Sequence, residues 1–517
     1  MRRAILLLVL CAVLSKIAFS QVLTTLVSFN GTNGGGPFSS LVLGSDGNFY
    51  GTTTYGGNSQ GLGFGTVFKV TPQGALTSLY SFQGDIDGYS PNAPLVQASD
   101  GNFYGTTIYG GAHNDGTIFR ITPQGSLTTI HNFALGDGYQ PYAGLLQGTD
   151  GELYGTTVFG GSYNAGTIFK TTLGGMLTSI HGFLTSDGGM PYAGLLQASD
   201  GNFYGTTRSG GSSGDGTVFR VTSQGPLTTL HSFNNADGEY PYAGLVQATD
   251  GNFYGATYYG GAYACGVVFK ITPQGILTLL HEFNCTDGWY ANNLIQGRDG
   301  NLYGTTIFGG NTQLCGAGCG TIYQITLQGK LTTIYRFNGV DGQGPSGLTE
   351  INDGEFYGTT GGGTSNDGTV FRLVAHAALS VAKSGLGTVI SGDGRISCGA
   401  VCSYVYLGGA RTGLTAISAP GYTFSGWSGC DSVQGSICSL AMSSARNVTA
   451  TFSPAQVALT SLVFSPPAVK SGQFSVGTLT LAQPAPAGGL GIGITSTNPQ
   501  ARASAFTRRR PCRPNLV

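Results

Sequence analysis

The sequence predicts an all-β protein: a seven-bladed β-propeller with four-stranded blades, followed by small C-terminal β modules. Three observations predict it. The 517 residues include 89 glycines and 11% aromatic residues but only 9% charged ones, a composition typical of short strands joined by tight turns. The stretch DGNFYGTTIYGG (100–111) returns in close copies along the chain. Long amphipathic patterns of helical period are absent from the sequence.

The copies show a regular period. Each begins with an aspartate, and the spacings are 54, 50, 50, 50, 49 and 54 residues for Asp46, Asp100, Asp150, Asp200, Asp250, Asp299 and Asp353. A period near 50 residues is typical of propellers and solenoids. The third copy contains four strand-like segments: PYAGLLQ (141–147), ELYGTTVFG (152–160), GTIFKTT (166–172) and LTSIHGF (177–183). Four antiparallel strands per repeat match a propeller blade.

The two ends of the repeat array complete each other. The last copy has a third strand, GTVFRLV (368–374), but no fourth, whereas LTTLVSF (23–29) stands alone near the N-terminus. A ring in which the N-terminal strand closes the last blade uses every segment, while an open solenoid leaves an unpaired edge at each end. We therefore predict a closed seven-bladed propeller over residues 22–375.

The recurring motif has a structural explanation. Asp100-Gly101 is a hairpin signal between two strands. Phe103 and Tyr104 then point to opposite faces of a strand that packs on both sides, and Gly105 leaves room for a close neighbour. The alternative, a phosphate-binding loop, fails because no G-x-x-x-x-G-K-[ST] segment opens a helix.

The segments DGxFYGTTxxGG, GTxFxxTxxG and LTxLxxF recur in this order over about 350 residues. In this the chain resembles the bacterial Gloeo-Verruco (GloVer) tandem-repeat family. The resemblance implies a secreted protein of a family with varied C-terminal anchors and no established activity.

The N-terminus predicts secretion. Residues 1–20 are interpreted as a signal peptide, because two arginines precede an apolar run (4–14) that is too short to span a bilayer. No transmembrane segment is expected in the mature chain. Removing the three cations of residues 1–20 and the five arginines of the last 17 residues takes the net charge from −1 to −9. This excludes a basic surface for nucleic acid, and we expect a secreted or cell-surface protein.

A different pattern begins after the repeats. Residues 379–453 resemble the divergent B-repeat module of bacterial surface proteins, in their C-x3-C pair, their GYTFSGWSG segment and the closing NVTATF. Disulfides Cys398–Cys402 and Cys430–Cys438 are expected, since a small domain has little core and gains from covalent links.

The last part of the chain changes character again. Residues 457–500 resemble the first half of a bacterial immunoglobulin-like repeat, which cannot close its sandwich alone. Residues 501–517 are atypical and rich in arginine. We interpret this tail as out of frame or as a truncation that replaces further modules and an anchor. The alternative is a genuine basic tail that binds an anionic surface.

Two sets of polar residues recur once per repeat. They are the histidines His131, His181, His231 and His281, and the aspartates Asp87, Asp137, Asp187, Asp237, Asp287 and Asp341. The histidines fall in the outermost strand of each blade, so equivalent residues cannot converge on one metal ion. Each aspartate precedes glycine, which is typical of a turn. We predict no metal, no cofactor and no assignable catalytic residue.

One end of the propeller is predicted to recognise a ligand. Its second-to-third-strand loops and blade-to-blade loops vary, while the hairpins at the other end hardly do. The residues that break the repeat are Asp85, Arg208, Glu239, Glu282 and Trp289. Candidates for stacking on sugars are Tyr55, Tyr109, Tyr142, Tyr192, Tyr242, Tyr259, Phe308 and Trp289. Packing between blades is the alternative for each tyrosine.

The cysteines of the propeller fall on the same end. Cys265 and Cys285 lie in successive loops, so a disulfide between them is expected, and Cys315–Cys319 fits a link within one loop. Taken together, the sequence predicts a secreted, non-catalytic binding or display protein whose partner is a polysaccharide or a surface protein. Two alternatives remain: a carbohydrate-active hydrolase or lyase at the propeller mouth, and a structural spacer.

Overall fold

The computed structural model describes residues 22–57, 63–352, 354–399, 402–407, 410–442, 446–455, 459–465, 467, 470, 472–473 and 476–482. The predicted signal peptide, the arginine-rich tail and Asp353 lie outside these residues. The described residues form strands and turns. None of them belongs to a helix that could reach across a lipid bilayer. They fall into two compact units, one holding residues 22–376 and the other beginning at 377.

The first unit consists of antiparallel sheets with a common strand order. Sheet 1 contains Val42–Leu43, Phe49–Thr53, Thr66–Val70 and Leu76–Ser81; sheet 2 contains Val96–Gln97, Phe103–Thr107, Thr117–Ile121 and Leu127–Asn132. Sheet 3 contains Leu146–Gln147, Leu153–Thr157, Thr167–Thr171 and Leu177–Gly182; sheet 4 contains Leu196–Gln197, Phe203–Thr207, Thr217–Val221 and Leu227–Ser232. Sheet 5 contains Val246–Gln247, Phe253–Ala256, Val267–Ile271 and Leu277–Glu282. Sheet 6 has its first strand in two pieces, Trp289–Ala291 and Ile295–Gln296, followed by Leu302–Phe308, Thr321–Ile325 and Leu331–Arg336.

Sheet 7 combines the two ends of the unit. It contains Gln343–Asn352, Glu355–Gly362, Thr369–Val374 and, as its fourth strand, Val22–Ser28. The N-terminal strand runs antiparallel to Thr369–Val374, with Leu23 opposite Leu373 and Val27 opposite Val370. The predictions of an all-β chain and of repeated four-stranded antiparallel sheets are confirmed.

Apolar clusters fill the spaces between consecutive sheets. Between sheets 1 and 2, the rings of Tyr50 and Phe103 stack with centroids 4.0 Å apart, and Tyr154 stacks on Phe203 between sheets 3 and 4 at 4.1 Å. A further cluster joins sheet 7 to sheet 1, where Phe49 stacks on Tyr357. Each sheet is therefore packed on both faces, as predicted for Phe103 and Tyr104, which belong to clusters on opposite sides of sheet 2.

The Asp-Gly hairpins are closed by local hydrogen bonds. In sheet 2, Oδ1 of Asp100 accepts from the Asn102 amide at 3.0 Å and Oδ2 accepts from the Tyr104 hydroxyl at 2.8 Å. Burial, together with this carboxylate, raises the pKa of Tyr104 to about 12. Burial acts to raise the pKa of Asp100, but the hydrogen bonds from Asn102 and Tyr104 hold that pKa below its ordinary value. The aspartate thus fixes the turn to the core tyrosine.

The glycine at the centre of each second strand makes room for an aromatic ring. A β-carbon on Gly105 would lie 2.6 Å from Cζ of Phe119, the residue opposite it in the sheet. In sheet 3, a β-carbon on Gly155 would lie 2.6 Å from Cζ of Phe169. The close approach predicted for Gly105 is confirmed.

Gly155→Ala is expected to destabilise the protein by about 1–3 kcal/mol, because a methyl group must be forced into a filled core. Urea unfolding followed by circular dichroism measures the loss. Gly182→Ala is the matched control in the fourth strand of the same sheet, where a β-carbon meets nothing closer than 3.8 Å. Equal losses in the two variants would contradict the packing explanation.

The second unit has two sheets around one apolar core. The first sheet contains Ser403–Leu407, His376–Ser384, Arg446–Pro454 and Tyr422–Ser428, and the second contains Ser397–Cys398, Gly387–Ser391, Arg411–Ser418, Ile437–Ala441 and Ser432–Gln434. Leu379, Val389, Leu414 and Phe452 are among its buried residues. Disulfides join Cys398 to Cys402 and Cys430 to Cys438. A hairpin of Leu459–Ser465 and Val476–Leu481 follows.

Candidate functional site

The connections between consecutive sheets share one position at which the backbone is left-handed, in addition to their other residues of positive φ. The φ at this position lies between 53° and 62° in Gly36, Ser90, Gln140, Met190, Tyr240, Tyr290 and Gly344. We call this the left-handed loop position. The left-handed conformation costs a residue with a β-carbon roughly 1 kcal/mol or more, yet five of these seven residues are not glycine. Such strain is retained where the side chain is needed in a particular direction.

The loops on either side of sheet 5 line an open cavity of about 400 Å³. Its lining residues are Arg208, Glu239, Tyr240, Tyr242, Tyr258, Tyr259 and Tyr290; we call it the tyrosine cavity. Arg208 follows the second strand of sheet 4, Tyr258 and Tyr259 follow that of sheet 5, and Tyr290 lies in the first strand of sheet 6. Three consecutive sheets therefore contribute to one site.

Aromatic rings form the walls of the cavity. The ring of Tyr258 stacks on Tyr242 at 4.4 Å and on Tyr290 at 4.8 Å, and its hydroxyl donates to Oδ1 of Asn292 at 3.2 Å. The hydroxyls of Tyr259 and Tyr290 contact each other. Burial raises the pKa of Tyr258. This hydroxyl stays protonated at neutral pH, and its proton is committed to Asn292.

Two opposite charges face this aromatic surface. The guanidinium carbon of Arg208 lies 4.5 Å from the centre of the Tyr240 ring and 5.5 Å from that of Tyr242. Burial, followed by the nearby Glu239 carboxylate, raises the pKa of Tyr240 above its ordinary value. Glu239 itself is held by backbone bonds to Tyr259, with the Glu239 amide 2.9 Å from the Tyr259 carbonyl oxygen. The cavity thus offers aromatic faces, one cation and one carboxylate.

A line of tyrosine rings leads away from the cavity along sheets 4 and 3. Tyr192 contacts Tyr242 at 4.9 Å and Tyr142 contacts Tyr192 at the same distance. Burial, with Tyr109 and Tyr192 as neighbours, raises the pKa of Tyr142 to about 12. These rings make the aromatic surface longer than the cavity alone.

Some of the residues predicted to bind a ligand lie at the tyrosine cavity and others lie away from it. Tyr242 and Tyr259 line the cavity, and Trp289 borders it through ring contacts to Tyr259 and Tyr290. Phe308 packs on Trp289 at 5.6 Å. Tyr109 stacks on Tyr89 in sheet 2, while Tyr55 lies on sheet 1 beside Gly35 and takes no part in the cavity.

Sequence reasoning missed three of the lining residues, namely Tyr240, Tyr258 and Tyr290. A signal was present, because each departs from the repeat. Tyr258 stands where sheets 2 and 3 have Ile108 and Val158, and the two others stand at the left-handed loop position. Arg208 and Glu239, which break the repeat, were singled out but not assigned to a ligand; both line the cavity.

The recurring histidines and aspartates bind each other. Nε2 of His131 lies 2.8 Å from Oδ2 of Asp137, whose Oδ1 accepts from the Ala134 amide. The same arrangement recurs in His181–Asp187, His231–Asp237 and His281–Asp287. In sheet 1 the Tyr80 hydroxyl takes the place of the histidine, 2.6 Å from Asp87. These pairs fix the loops; across the described ranges, no three His, Cys, Asp or Glu side chains are grouped to hold a metal ion.

Disulfides hold the loops beside the cavity. Cys265 is bonded to Cys285, in the loop that leads to Trp289 and Tyr290, and Cys315 is bonded to Cys319 within a loop of sheet 6. The first of these links joins two successive loops, as its sequence spacing predicts. This disulfide limits the movement of the segment after Cys285, which contributes Tyr290 to the lining of the cavity.

The family is decided by comparison with sequence profiles. The profile of the Gloeobacter/Verrucomicrobia repeat matches residues 11–199 and 192–396. The chain belongs to this family. This Gloeobacter/Verrucomicrobia repeat protein also matches the divergent InlB B-repeat domain over residues 386–456. Both resemblances predicted from the motifs are confirmed. A comparison with curated proteins finds no match.

Solved structures similar to the Gloeobacter/Verrucomicrobia repeat protein are distant in sequence. A putative gluconolactonase is 14% identical, with 57% of this chain and 91% of that chain covered and a TM-score of 0.36. A putative 6-phosphogluconolactonase from Bacteroides uniformis is 15% identical, with 58% and 84% covered and a TM-score of 0.40. A protein of unknown function from Bacteroides thetaiotaomicron is 13% identical, with 60% and 81% covered and a TM-score of 0.37.

Proposed function

We propose that this is a secreted or cell-surface binding protein without catalytic activity, which recognises a polysaccharide through the loop-rich end of a closed seven-bladed propeller. The observation that carries the proposal is the tyrosine cavity, where three sheets place five tyrosines beside one arginine and one glutamate. Aromatic rings that present their faces next to hydrogen-bonding groups suit the apolar faces and hydroxyl rims of sugars.

Contacts between the two ends of the unit support the ring. The N-terminal strand completes sheet 7, and sheet 7 packs on sheet 1 through Phe49 and Tyr357. The Thr359 hydroxyl of sheet 7 also donates to the carbonyl oxygen of Ser39, at 2.8 Å. A chain whose last sheet packs on its first has no free sheet face at its ends.

Covalent structure and family support a location outside the cell. Four disulfides are present in the described residues, and disulfides persist in oxidising environments. A divergent InlB B-repeat domain follows the repeats. Residues 1–20 supply the signal peptide in this proposal, and a surface protein is the second partner class that the loop-rich end can accept.

The carbohydrate-active enzyme is less well supported by the same cavity. Canonical glycoside hydrolysis uses two carboxyl groups that flank the bond to be broken. Glu239 is the single acid among the residues that line the tyrosine cavity, and Asp85 lies in the exposed loop between sheets 1 and 2. A single acid in the cavity supports binding rather than hydrolysis.

The left-handed loop position allows a sharp test of the proposal. Tyr240→Gly and Tyr290→Gly remove cavity rings while relieving backbone strain, because glycine accepts this conformation and already occupies it in Gly36 and Gly344. We expect the parent protein to be retained by one or more members of a panel of insoluble polysaccharides and cell-wall preparations, and both variants to be retained at least tenfold less.

Ser90→Gly is the matched control, since it makes the same backbone change in a loop distant from the cavity in sequence. Its retention should equal that of the parent protein. Retention of none of the four proteins by any polymer would refute polysaccharide binding. Release of soluble sugar ends by the parent protein would support the enzyme instead.

A further inference from the structure

Arg208 is the feature of the tyrosine cavity that the proposed function leaves unexplained. Its place at the end of the second strand is taken by Ile108 in sheet 2 and Val158 in sheet 3, both buried apolar residues. An arginine here needs partners for its donor groups, because buried hydrogen-bonding groups are nearly always paired in folded proteins.

The protein supplies few of those partners. Nη1 of Arg208 has a thioether neighbour, Sδ of Met190 at 3.6 Å, and thioether sulfur is a weak acceptor. Nε of Arg208 is buried and has no hydrogen-bond partner within the described residues. The rings of Tyr240 and Tyr242 lie against the guanidinium. The group is thus held in position by aromatic contacts. No oxygen atom of the described residues accepts a hydrogen bond from it.

The nearest candidate partner does not neutralise it. Glu239 lines the same cavity, yet no ion pair within 4.0 Å joins Arg208 to Glu239 in the described part of the chain. The Arg208 guanidinium and the Glu239 carboxylate are therefore separate binding groups for a ligand in the cavity. A ligand that fits must bring an anion for the guanidinium and hydroxyl donors for the carboxylate.

We infer that the tyrosine cavity binds a uronic-acid unit of an acidic polysaccharide. The sugar carboxylate takes the two terminal nitrogens of Arg208, Glu239 accepts from a sugar hydroxyl, and the rings of Tyr242 and Tyr290 pack on the sugar faces, with Tyr258 stacked between them. A planar carboxylate matches the guanidinium geometry with two parallel hydrogen bonds. The inference rests on the proposed polysaccharide function and adds the chemical class of the sugar.

Two further observations fit a polymer that carries its charge at separated units. The aromatic surface continues beyond the cavity through Tyr192 and Tyr142, which offer further sugar faces but no cation. Residues 21–500 carry a net charge of −9 once the cations of both chain ends are set aside. General electrostatic attraction cannot hold a polyanion on such a body, so the inference assigns the affinity for the acid form to the local guanidinium of Arg208.

The test uses isothermal titration of the full protein with uronate oligosaccharides. Chains of galacturonate, glucuronate, mannuronate and guluronate are each paired with their carboxyl-reduced, neutral forms. An oligosaccharide that carries sulfate esters and no carboxylate is included. We expect at least one uronate chain to bind about tenfold or more tightly than its reduced form, the effect of one charge-assisted pair of hydrogen bonds. Arg208→Gln should abolish that preference, and Arg208→Lys should leave it intermediate.

Arg220→Gln is the matched control. Arg220 lies in the third strand of sheet 4, opposite Tyr204, at the end of the second strand that is far from Arg208. The variant removes an equal charge from the same sheet and should keep the full preference for the acid form. Thermal unfolding establishes that the variants are folded, and Glu239→Gln, which leaves Arg208 in place, should retain the preference for the acid.

Each remaining outcome is decisive. Equal binding of acid and reduced forms by the parent protein would overturn the uronate inference and leave the proposed function standing. Tighter binding of the sulfated chain than of every uronate would overturn it as well, as would a preference that survives Arg208→Gln. Binding of no sugar, acidic or neutral, would overturn both the inference and the proposed function.

Discussion

A chain that begins at Asn30 is expected to lose the cooperative folding of the first unit. The truncation removes the fourth strand of sheet 7 and leaves Thr369–Val374 as an unpaired edge. It also removes two buried side chains, Val27 and Phe29, from the cluster between sheets 7 and 1. The loss of one buried phenylalanine alone costs about 3–5 kcal/mol, and the lost strand pairing adds to it. Thermal unfolding and size-exclusion chromatography are expected to show early melting and association through the exposed edge.

A peptide of residues 22–30 supplied separately should restore the melting temperature, because it can refill the same place in sheet 7. Thr24→Ala in the intact chain is the control, because it alters an exposed residue of that strand and keeps the strand in place. It should change the melting temperature little. An unchanged melting temperature in the truncated chain would contradict the proposed closure of the ring.

Tyr154→Ala is expected to cost about 3–5 kcal/mol of stability, the loss typical of a fully buried aromatic side chain. Tyr154 is completely buried, its ring stacks on Phe203 of the next sheet at 4.1 Å, and its hydroxyl donates to Asp150 at 2.6 Å. Chemical unfolding followed by tyrosine fluorescence measures the change. The variant removes the packing between two sheets and the support of one hairpin.

Two comparisons separate these contributions. Tyr154→Phe keeps the ring and should cost only about 1 kcal/mol, the usual value of one hydrogen bond. Tyr163→Ala changes a tyrosine that is 67% exposed in a loop of the same sheet, and should leave stability within about 0.5 kcal/mol. Losses of similar size for Tyr154→Ala and Tyr163→Ala would contradict the role of the inter-sheet core.

The sheets could be predicted because their causes are local and repeated. Asp100-Gly101 specifies a turn whatever surrounds it, and the pair of Phe103 and Tyr104 reports a strand buried on both faces. The relation between the N-terminal strand and the last repeat needed only a count of segments. Each of these features depends on a short stretch of chain, and its repetition removes most of the ambiguity that a single copy would leave.

The candidate site was less predictable because it depends on contacts between sheets. The left-handed backbone at Tyr240 and Tyr290 cannot be read from residue types that do not favour it, and it decides which rings meet. The bonds between His131 and Asp137 were missed for a similar reason. The sequence places the histidine in the outermost strand and the aspartate in a turn, and nothing in either pattern joins them, although they are six positions apart and close one loop.

Under the proposed binding function, the left-handed loop position separates specificity from stability. Its occupant projects from a loop, whereas the sheets are held together by rings that lie elsewhere in the repeat. In that proposal, an exchange at Ser90 or Gln140 alters the surface that the loop-rich end offers to a ligand without a matching change in the core. The unit has seven such positions, so substitutions made there one at a time are expected to change binding while the sheets keep their packing.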